Sequence, residues 1–254
     1  MAKPVRLCYD SRQIKGEFSK FIMNDRAQAE NLLHLVGLLS DLDTGQLNEI
    51  GRQCVWQRYQ KGVEIISESE GSTDIFFIVE GSVVAKSYSE DGKEVTYTEL
   101  SRGDVFGEFS AIDQKPRSAA IETLEESLVG QMTSEKFRQL VMTMPGIGLR
   151  LAELLVRKNR FLTHRIFEFS TLAVRQRVCA ELLRRAVEAG EAEPPVVISP
   201  APTHYQLATM LGTHREAVSR ELSALSALGI VEVGRRKITV IDIPRLRHIT
   251  KVSV

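Results

Sequence analysis

Cysteine is scarce in this chain: Cys8, Cys54 and Cys179 are the three in 254 residues, far apart and without a C-x-x-C spacing. Such a set fits buried thiols in a reducing cytosol better than a zinc, iron–sulfur or disulfide framework. No apolar run is long enough to cross a membrane, and the first residues lack the apolar core of a secretory signal. A soluble, cytoplasmic protein without a membrane partner is therefore expected. The five histidines are scattered, and no Ser/His/Asp or metal-ligand grouping is visible, which argues against an enzyme and against a bound metal. Net charge is lacking too, since 33 Lys+Arg balance 33 Asp+Glu. The balance hides an asymmetry: residues 171–254 carry 12 basic and 8 acidic residues, and those before them 21 and 25. A basic C-terminal part favours a polyanionic partner there.

What is present has the texture of two domains. A chain of this length suits two and can bury a core without disulfide staples. Residues 1–30 show no clear period and stand apart as an N-terminal extension, with some helical character around Phe18–Met23. Apolar residues recur at helical spacing over Leu32–Leu39 and Thr44–Cys54, the second run capped by Asp43 or Thr44. Short β-rich runs then alternate with glycine turns: Val55–Tyr59, Val63–Ser67, Ile75–Val79, Ser82–Tyr88, Val95–Leu100, Ala119–Glu122 and Leu128–Met132. Asp91-Gly92 is a hairpin signal. Many short strands at close spacing predict an antiparallel β-roll, with a short helix over Lys136–Met144 closing a domain of residues 31–146.

A long helical pattern follows over residues 147–169. Ile147, Leu151, Leu154, Leu155, Phe161, Leu162, Ile166 and Phe169 form its wide apolar stripe, interrupted by Lys158 and Arg165. At 1.5 Å per residue it spans about 35 Å. One side can pack on the roll and leave the other for a second copy, so a dimerisation helix and a homodimer are expected.

The roll is interrupted by F-G-E-F-S-A-I-D-Q-K-P-R-S-A-A-I, from Phe106 to Ile121. Gly107 lets backbone approach a ligand closely, and N–H groups at the turn Phe109–Ile112 would point at an anion. Arg117 can clamp phosphate oxygens with its planar fork, and Ser118 can donate a further hydrogen bond. Glu108 is unsuited to phosphate and suits a sugar hydroxyl. Phe106, Gly107, Glu108, Phe109, Ser110, Arg117, Ser118 and Ala119 are thus the candidate ligand residues. The string resembles the phosphate-binding cassette of cyclic-nucleotide-binding domains. That resemblance implies Glu108 on the ribose 2′-hydroxyl and Arg117 with Ser118 on the cyclic phosphate.

Residues 170–254 read as a second domain. Ser170 or Thr171 caps a helix over Leu172–Val187, and a proline-rich loop encloses a short strand, Val196–Ile198. Thr203 with Gln206, and Thr213 with Glu216, are spaced as two capping boxes around the tight turn Leu211-Gly212-Thr213. Two helices so joined make a helix-turn-helix, with Ala208, Gly212 and Val218 as its small, turn and core residues. Gly229 ends the second helix. Val231–Val233 and Ile238–Ile241 then form a two-stranded wing with a basic tip, Arg235-Arg236-Lys237. The start of the second helix is the part that enters a major groove, making Thr213, His214, Arg215, Glu216, Ser219 and Arg220 candidate readers of double-stranded DNA. Arg235, Arg236, Lys237, His204 and Thr203 suit phosphates better than bases.

In this order of parts, residues 32–243 resemble the cyclic-AMP receptor branch of bacterial transcription regulators. The resemblance implies an α+β protein: an N-terminal antiparallel β-roll that binds a cyclic nucleotide, a long dimerisation helix, and a C-terminal winged helix-turn-helix. It implies a homodimer on two-fold-related operators with TGTGA-like half-sites, read by Arg215, Glu216 and Arg220, and RNA polymerase as a further partner. The branch similar to the fumarate and nitrate reductase regulator carries an N-terminal cysteine cluster that this chain lacks. In the resembled branch a Thr-Ser pair on the long helix meets the adenine. The corresponding positions here are Leu162 and Thr163, with Asn159 one turn earlier on the same face as Thr163. Leu162 cannot hydrogen-bond a base, so the effector is left open between cyclic AMP, cyclic GMP or both.

Overall fold

The computed structural model describes residues 32–68, 71–189 and 194–250. The N-terminal extension, with the helical character read around Phe18–Met23, lies outside them. The chain divides into two compact units, one reaching to Lys86 and resuming over Thr98–Leu154, the other formed by Ser87–Tyr97 and the chain from Leu155 onward.

The first unit opens with two 3-10 turns, Leu33–Leu35 and Gly37–Leu39, where the sequence predicts one helix. Gly37 N–H donates to Gly103 O at 3.0 Å, an acceptor outside the segment, and this breaks the helical repeat. Helix α1, Thr44–Gln53, begins at Asp43. Asp43 Oδ1 accepts from Gln46 N–H at 2.9 Å while Gln46 Oε1 accepts from Asp43 N–H at 3.0 Å, a reciprocal cap.

Eight strands follow: β1 (Val55–Tyr59), β2 (Glu64–Ile66), β3 (Ile75–Glu80), β4 (Ser82–Tyr88), β5 (Glu94–Ser101), β6 (Val105–Phe106), β7 (Ala120–Thr123) and β8 (Ser127–Met132). They form two four-stranded sheets, ordered β1-β8-β3-β6 and β2-β7-β4-β5. Phe76, Ile78 and Phe106 from the first sheet meet Ile66, Val83 and Ile121 from the second in one buried cluster, which makes the strands a roll. Strand β6 is too short to show alternation in sequence, yet it pairs Phe106 with Phe76 and Val105 with Phe77. Helix α2 (Glu108–Asp113) lies between β6 and β7 as expected. Helix α3 (Ser134–Thr143) is capped by Thr133.

Helix α4 runs from Pro145 to Thr171, longer at both ends than the sequence suggests. Proline is preset for the first helical position. Thr171 Oγ1 donates to Phe167 O at 2.8 Å, the habit of an interior helical threonine, so neither Ser170 nor Thr171 caps the next helix. Ala173 takes that place for α5 (Val174–Glu188), its N–H donating to Gln176 Oε1 at 3.0 Å. The stripe of α4 is not continuous: Ile147 and Leu151 are buried, whereas Leu162, Ile166 and Phe169 are exposed.

In the second unit β9 (Val196–Ile198), α6 (His204–Met210), α7 (Arg215–Ala227), β10 (Val231–Gly234), β11 (Lys237–Val240) and α8 (Ile243–Thr250) follow. The wing has three strands in the order β10-β11-β9, because β9 pairs Val197 with Thr239 across the sheet. Val178 and Leu182 of α5, Leu207 of α6 and Val218 and Leu222 of α7 share one core with Val240 and Leu246. Thr203 and Gln206 form the expected capping box on α6. The second box is absent: the residue preceding α7 is His214, without a side-chain cap bond, because Thr213 N–H donates to Ala208 O at 3.0 Å and belongs to the turn. Among the described residues no single helix is long and apolar enough to cross a membrane.

Candidate ligand pocket and nucleic-acid interface

The candidates from Phe106 to Ala119 lie in the first unit. Phe106 ends β6 with its ring stacked on Phe76, centroids 4.8 Å apart. Gly107 then turns the chain into α2 with φ +80°, a conformation glycine adopts without strain. A Cβ there would stand 2.5 Å from Asp74 O and 2.7 Å from Arg117 Nη1, so the residue must be bare on both counts. Glu108 is 3% exposed and Arg117 7%, each polar group held inside the roll, and Ser110 is also buried. Phe109 and Ser118 face solvent, and Ala119 is half-buried against the roll core.

Arg117 is positioned from a distant part of the chain. Its Nη1 donates to Asp74 O at 2.9 Å and to Gly107 O at 3.4 Å, and its Nη2 donates to Ser72 Oγ at 2.8 Å. The guanidinium carbon lies 5.7 Å from the Phe76 ring centroid. These three acceptors are neutral oxygens. Ser72, Asp74 and Phe76 touch this candidate ligand residue, and the sequence reading did not name them. The available signal was the polar run Gly71-Ser72-Thr73-Asp74 directly before the apolar strand β3.

Asn159 and Thr163 belong to the second unit, exposed on α4. Thr163 Oγ1 donates to Asn159 O at 3.0 Å and lies 3.4 Å from Asn159 Oδ1, so the pair is oriented as a unit. A surface depression on this part of α4 is lined by Leu155, Val156, Asn159 and Arg160.

On the helix-turn-helix, Arg215, Glu216 and Arg220 are exposed near the start of α7, with His214 exposed just ahead of it. Glu216 is exposed and takes no part in a cap. Ser219 is half-buried and shares a 2.7 Å hydrogen bond with His204 Nδ1, tying α7 to α6. It is a structural contact as well as a reader candidate. Thr203 caps α6 and is exposed, and Thr213 is half-buried in the turn. Arg235, Arg236 and Lys237 are exposed at the wing tip, where Arg236 adopts φ +53°. Among the described residues no group of three or more His, Cys, Asp and Glu side chains could hold a metal ion.

A buried Gly-Glu…Arg cassette in an antiparallel roll, carried on one chain with a winged helix-turn-helix, defines a ligand-binding transcription regulator. Residues 56–144 match the cyclic nucleotide-binding domain family, and residues 176–249 match the Crp-like helix-turn-helix domain. The chain belongs to the superfamily of the cyclic-AMP receptor and the fumarate and nitrate reductase regulators, whose members are transcription regulators and not enzymes. It is 28% identical over 188 residues to the cAMP-activated global transcriptional regulator CRP of Pasteurella multocida, covering 74% of this chain and 90% of that one. The CRP-like cAMP-activated global transcriptional regulator of Mycobacterium tuberculosis is 23% identical over 218 residues, 85% of this chain and 97% of the other. Among solved structures, a CooA variant from Carboxydothermus hydrogenoformans shares the fold with TM-score 0.74 and 22% identity, covering 85% of this chain and 95% of that one. FixK2 from Bradyrhizobium japonicum does so with TM-score 0.69 and 21% identity, covering 79% and 99%.

Proposed function

We propose that this protein is a homodimeric transcription regulator whose affinity for palindromic operators is set by cyclic AMP, cyclic GMP or both. The observation that carries this reading is the pair Glu108 and Arg117, both buried beside Gly107 in the roll of a chain that also presents Arg215, Glu216 and Arg220 on α7. Arg117 with Ser118 would hold the cyclic phosphate and Glu108 the ribose 2′-hydroxyl, with Phe106, Phe109, Ser110 and Ala119 shaping the pocket. Asn159 and Thr163 would meet the base. The exposed apolar residues of α4 would pack against a second copy. Arg215 suits guanine O6/N7 and Glu216 suits cytosine N4, as a TGTGA-like half-site requires, while Thr203, Thr213, His214, Ser219, Arg220, Arg235 and Arg236 add base and phosphate contacts. RNA polymerase is the further partner, and the cytoplasm the compartment.

Ligand and DNA would be coupled through a shift between two arrangements of the DNA-binding domains, each site biasing the same equilibrium. The test is calorimetry with cyclic AMP and with cyclic GMP, followed by operator binding with and without each nucleotide at fixed salt. Binding of one nucleotide that Arg117→Ala abolishes is the expected result; no heat from either nucleotide would sink the effector assignment. A second reading keeps DNA binding but makes it independent of nucleotide or responsive to another ligand. It is favoured by Leu162, which offers a base no hydrogen bond, and by the engagement of Arg117 with Ser72 and Asp74. Operator affinity unchanged by nucleotide would support it.

A further inference from the structure

Where α4, α5 and α6 meet, within the second unit, five charged side chains are gathered: Arg165 and Glu168 from α4, and Glu181, Arg184 and Arg185 from α5. Arg165, Glu168 and Glu181 are all buried. Arg165 Nη1 lies 3.1 Å from Glu168 Oε2 and 3.7 Å from Glu181 Oε2. Arg184 bridges Glu168 at 2.7 Å and also contacts Glu181, and Arg185 reaches Glu181 at 2.8 Å. The other arm of Arg165, Nη2, donates to Met210 O, the last residue of α6.

That carbonyl stands at a helix C-terminus, where no intrahelical donor remains and the partial charge is negative. The last turn of α6 has no basic residue of its own, so Arg165 supplies the cation from another element. A second tie lies alongside. The Phe169 ring sits under the guanidinium groups of Arg165 and Arg177, 4.9 Å and 5.5 Å from them, and a Cβ on Gly212 would meet its edge at 3.4 Å. The end of α6 is thus held on α4 at Met210, and the turn after it passes the Phe169 ring at Gly212.

A buried ion cluster is a poor source of net stability, since apolar residues of similar volume do as well or better. Desolvation pulls the Arg165 pKa down and the neighbouring Arg184 adds to that, while Glu181 and Glu168 oppose it. What a fork-shaped guanidinium adds over a leucine is direction: two bonds fix its plane, and its plane fixes the acceptor.

We propose that Arg165 is a positioning residue for operator recognition, latching the turn of the helix-turn-helix to the long helix through Met210 O so that the two move as one body. This rests on the DNA-binding reading. If α4 joins two subunits, the latch sets the distance between their two recognition helices, and loosening it lets each reader settle independently.

The test compares wild type, Arg165→Lys and Arg165→Met on three duplexes: palindromic TGTGA half-sites one helical turn apart, the same half-sites with the spacer lengthened by half a turn, and a single half-site. Wild type should strongly prefer the first duplex to the second. Arg165→Met should lower that preference by about tenfold, the scale of one lost charge-assisted bond, while leaving the single half-site unchanged. A purely structural role would reduce binding to all three alike; an unchanged preference in Arg165→Met overturns the latch. Arg165→Lys keeps the charge without the fork and should fall between. Amide exchange without DNA gives an independent readout. The Leu211 and Thr213 amides, which bond to Leu207 O and Ala208 O, should exchange about tenfold faster in Arg165→Met, with the paired strands β9 and β11 of the same unit unchanged. Should wild type ignore all three duplexes, the operator reading fails, and equal exchange rates in the two proteins would overturn the latch as well.

Discussion

At the scale of single residues, Gly107 carries two constraints at once. Its φ of +80° admits few other residues, and its missing Cβ leaves room for Arg117 Nη1. Gly107→Ala is expected to cost about 1–3 kcal/mol of stability from backbone strain, seen as a lower Tm. It should also weaken nucleotide binding in calorimetry, because relief requires Arg117 to move. Ser118→Ala, at an exposed position, should affect binding alone. Cys179 presents the opposite case, a group kept from its chemistry. Burial pushes its thiol up to about 12, against about 8.5 for a free cysteine. Between those values the unfolded chain binds fewer protons than the fold, so the folded state loses stability as pH rises through the window. Below it the contribution is constant. In a Cys8→Ser, Cys54→Ser background, the thiol is expected to react with a disulfide reagent at pH 8 only as fast as the second unit opens. Rapid labelling of native protein would contradict this.

At the scale of elements, the two observed capping boxes predict separate costs. Asp43→Ala should lower stability by about 1 kcal/mol and so should Thr203→Ala, whereas Thr213→Ala should cost no cap energy, checked by denaturant unfolding. The contrast explains how far the sequence could be read. Asp43 with Gln46, Thr203 with Gln206, and Thr213 with Glu216 share one spacing, and local pattern cannot tell them apart. The third fails because Thr213 N–H is claimed by Ala208 O, closing the turn. The strands other than β6, and most helices, were legible because each carries its own periodicity or its glycine turns. The cassette was legible because its polar residues fall within one short stretch. Its supports were not: Ser72 and Asp74 reach Arg117 from 45 and 43 residues away. Arg165 was visible only as an interruption of the stripe, since its partners lie on α5 and at the end of α6.

At the scale of the molecule, α4 leaves apolar side chains in water that a monomer has no use for. Ile166 is 66% exposed, Phe167 54% and Leu162 44%. If a second copy covers them, Ile166→Glu should shift sedimentation towards the monomer and reduce operator affinity by more than tenfold, because a lone subunit engages one half-site at a time. An unchanged sedimentation profile would move the dimer contact elsewhere.

The charge cluster around Arg165 has a consequence for descent as well as for motion. Removing either glutamate takes a partner from buried Arg165 and from partly exposed Arg184, and removing an arginine leaves the buried acids with one cation fewer, so each single change unbalances the cluster. Residues 165, 168, 181, 184 and 185 are expected to be inherited as a unit. Lineages should keep the set intact or exchange it wholesale for apolar residues, and chains carrying half of it should be rare among those that still bind their operators.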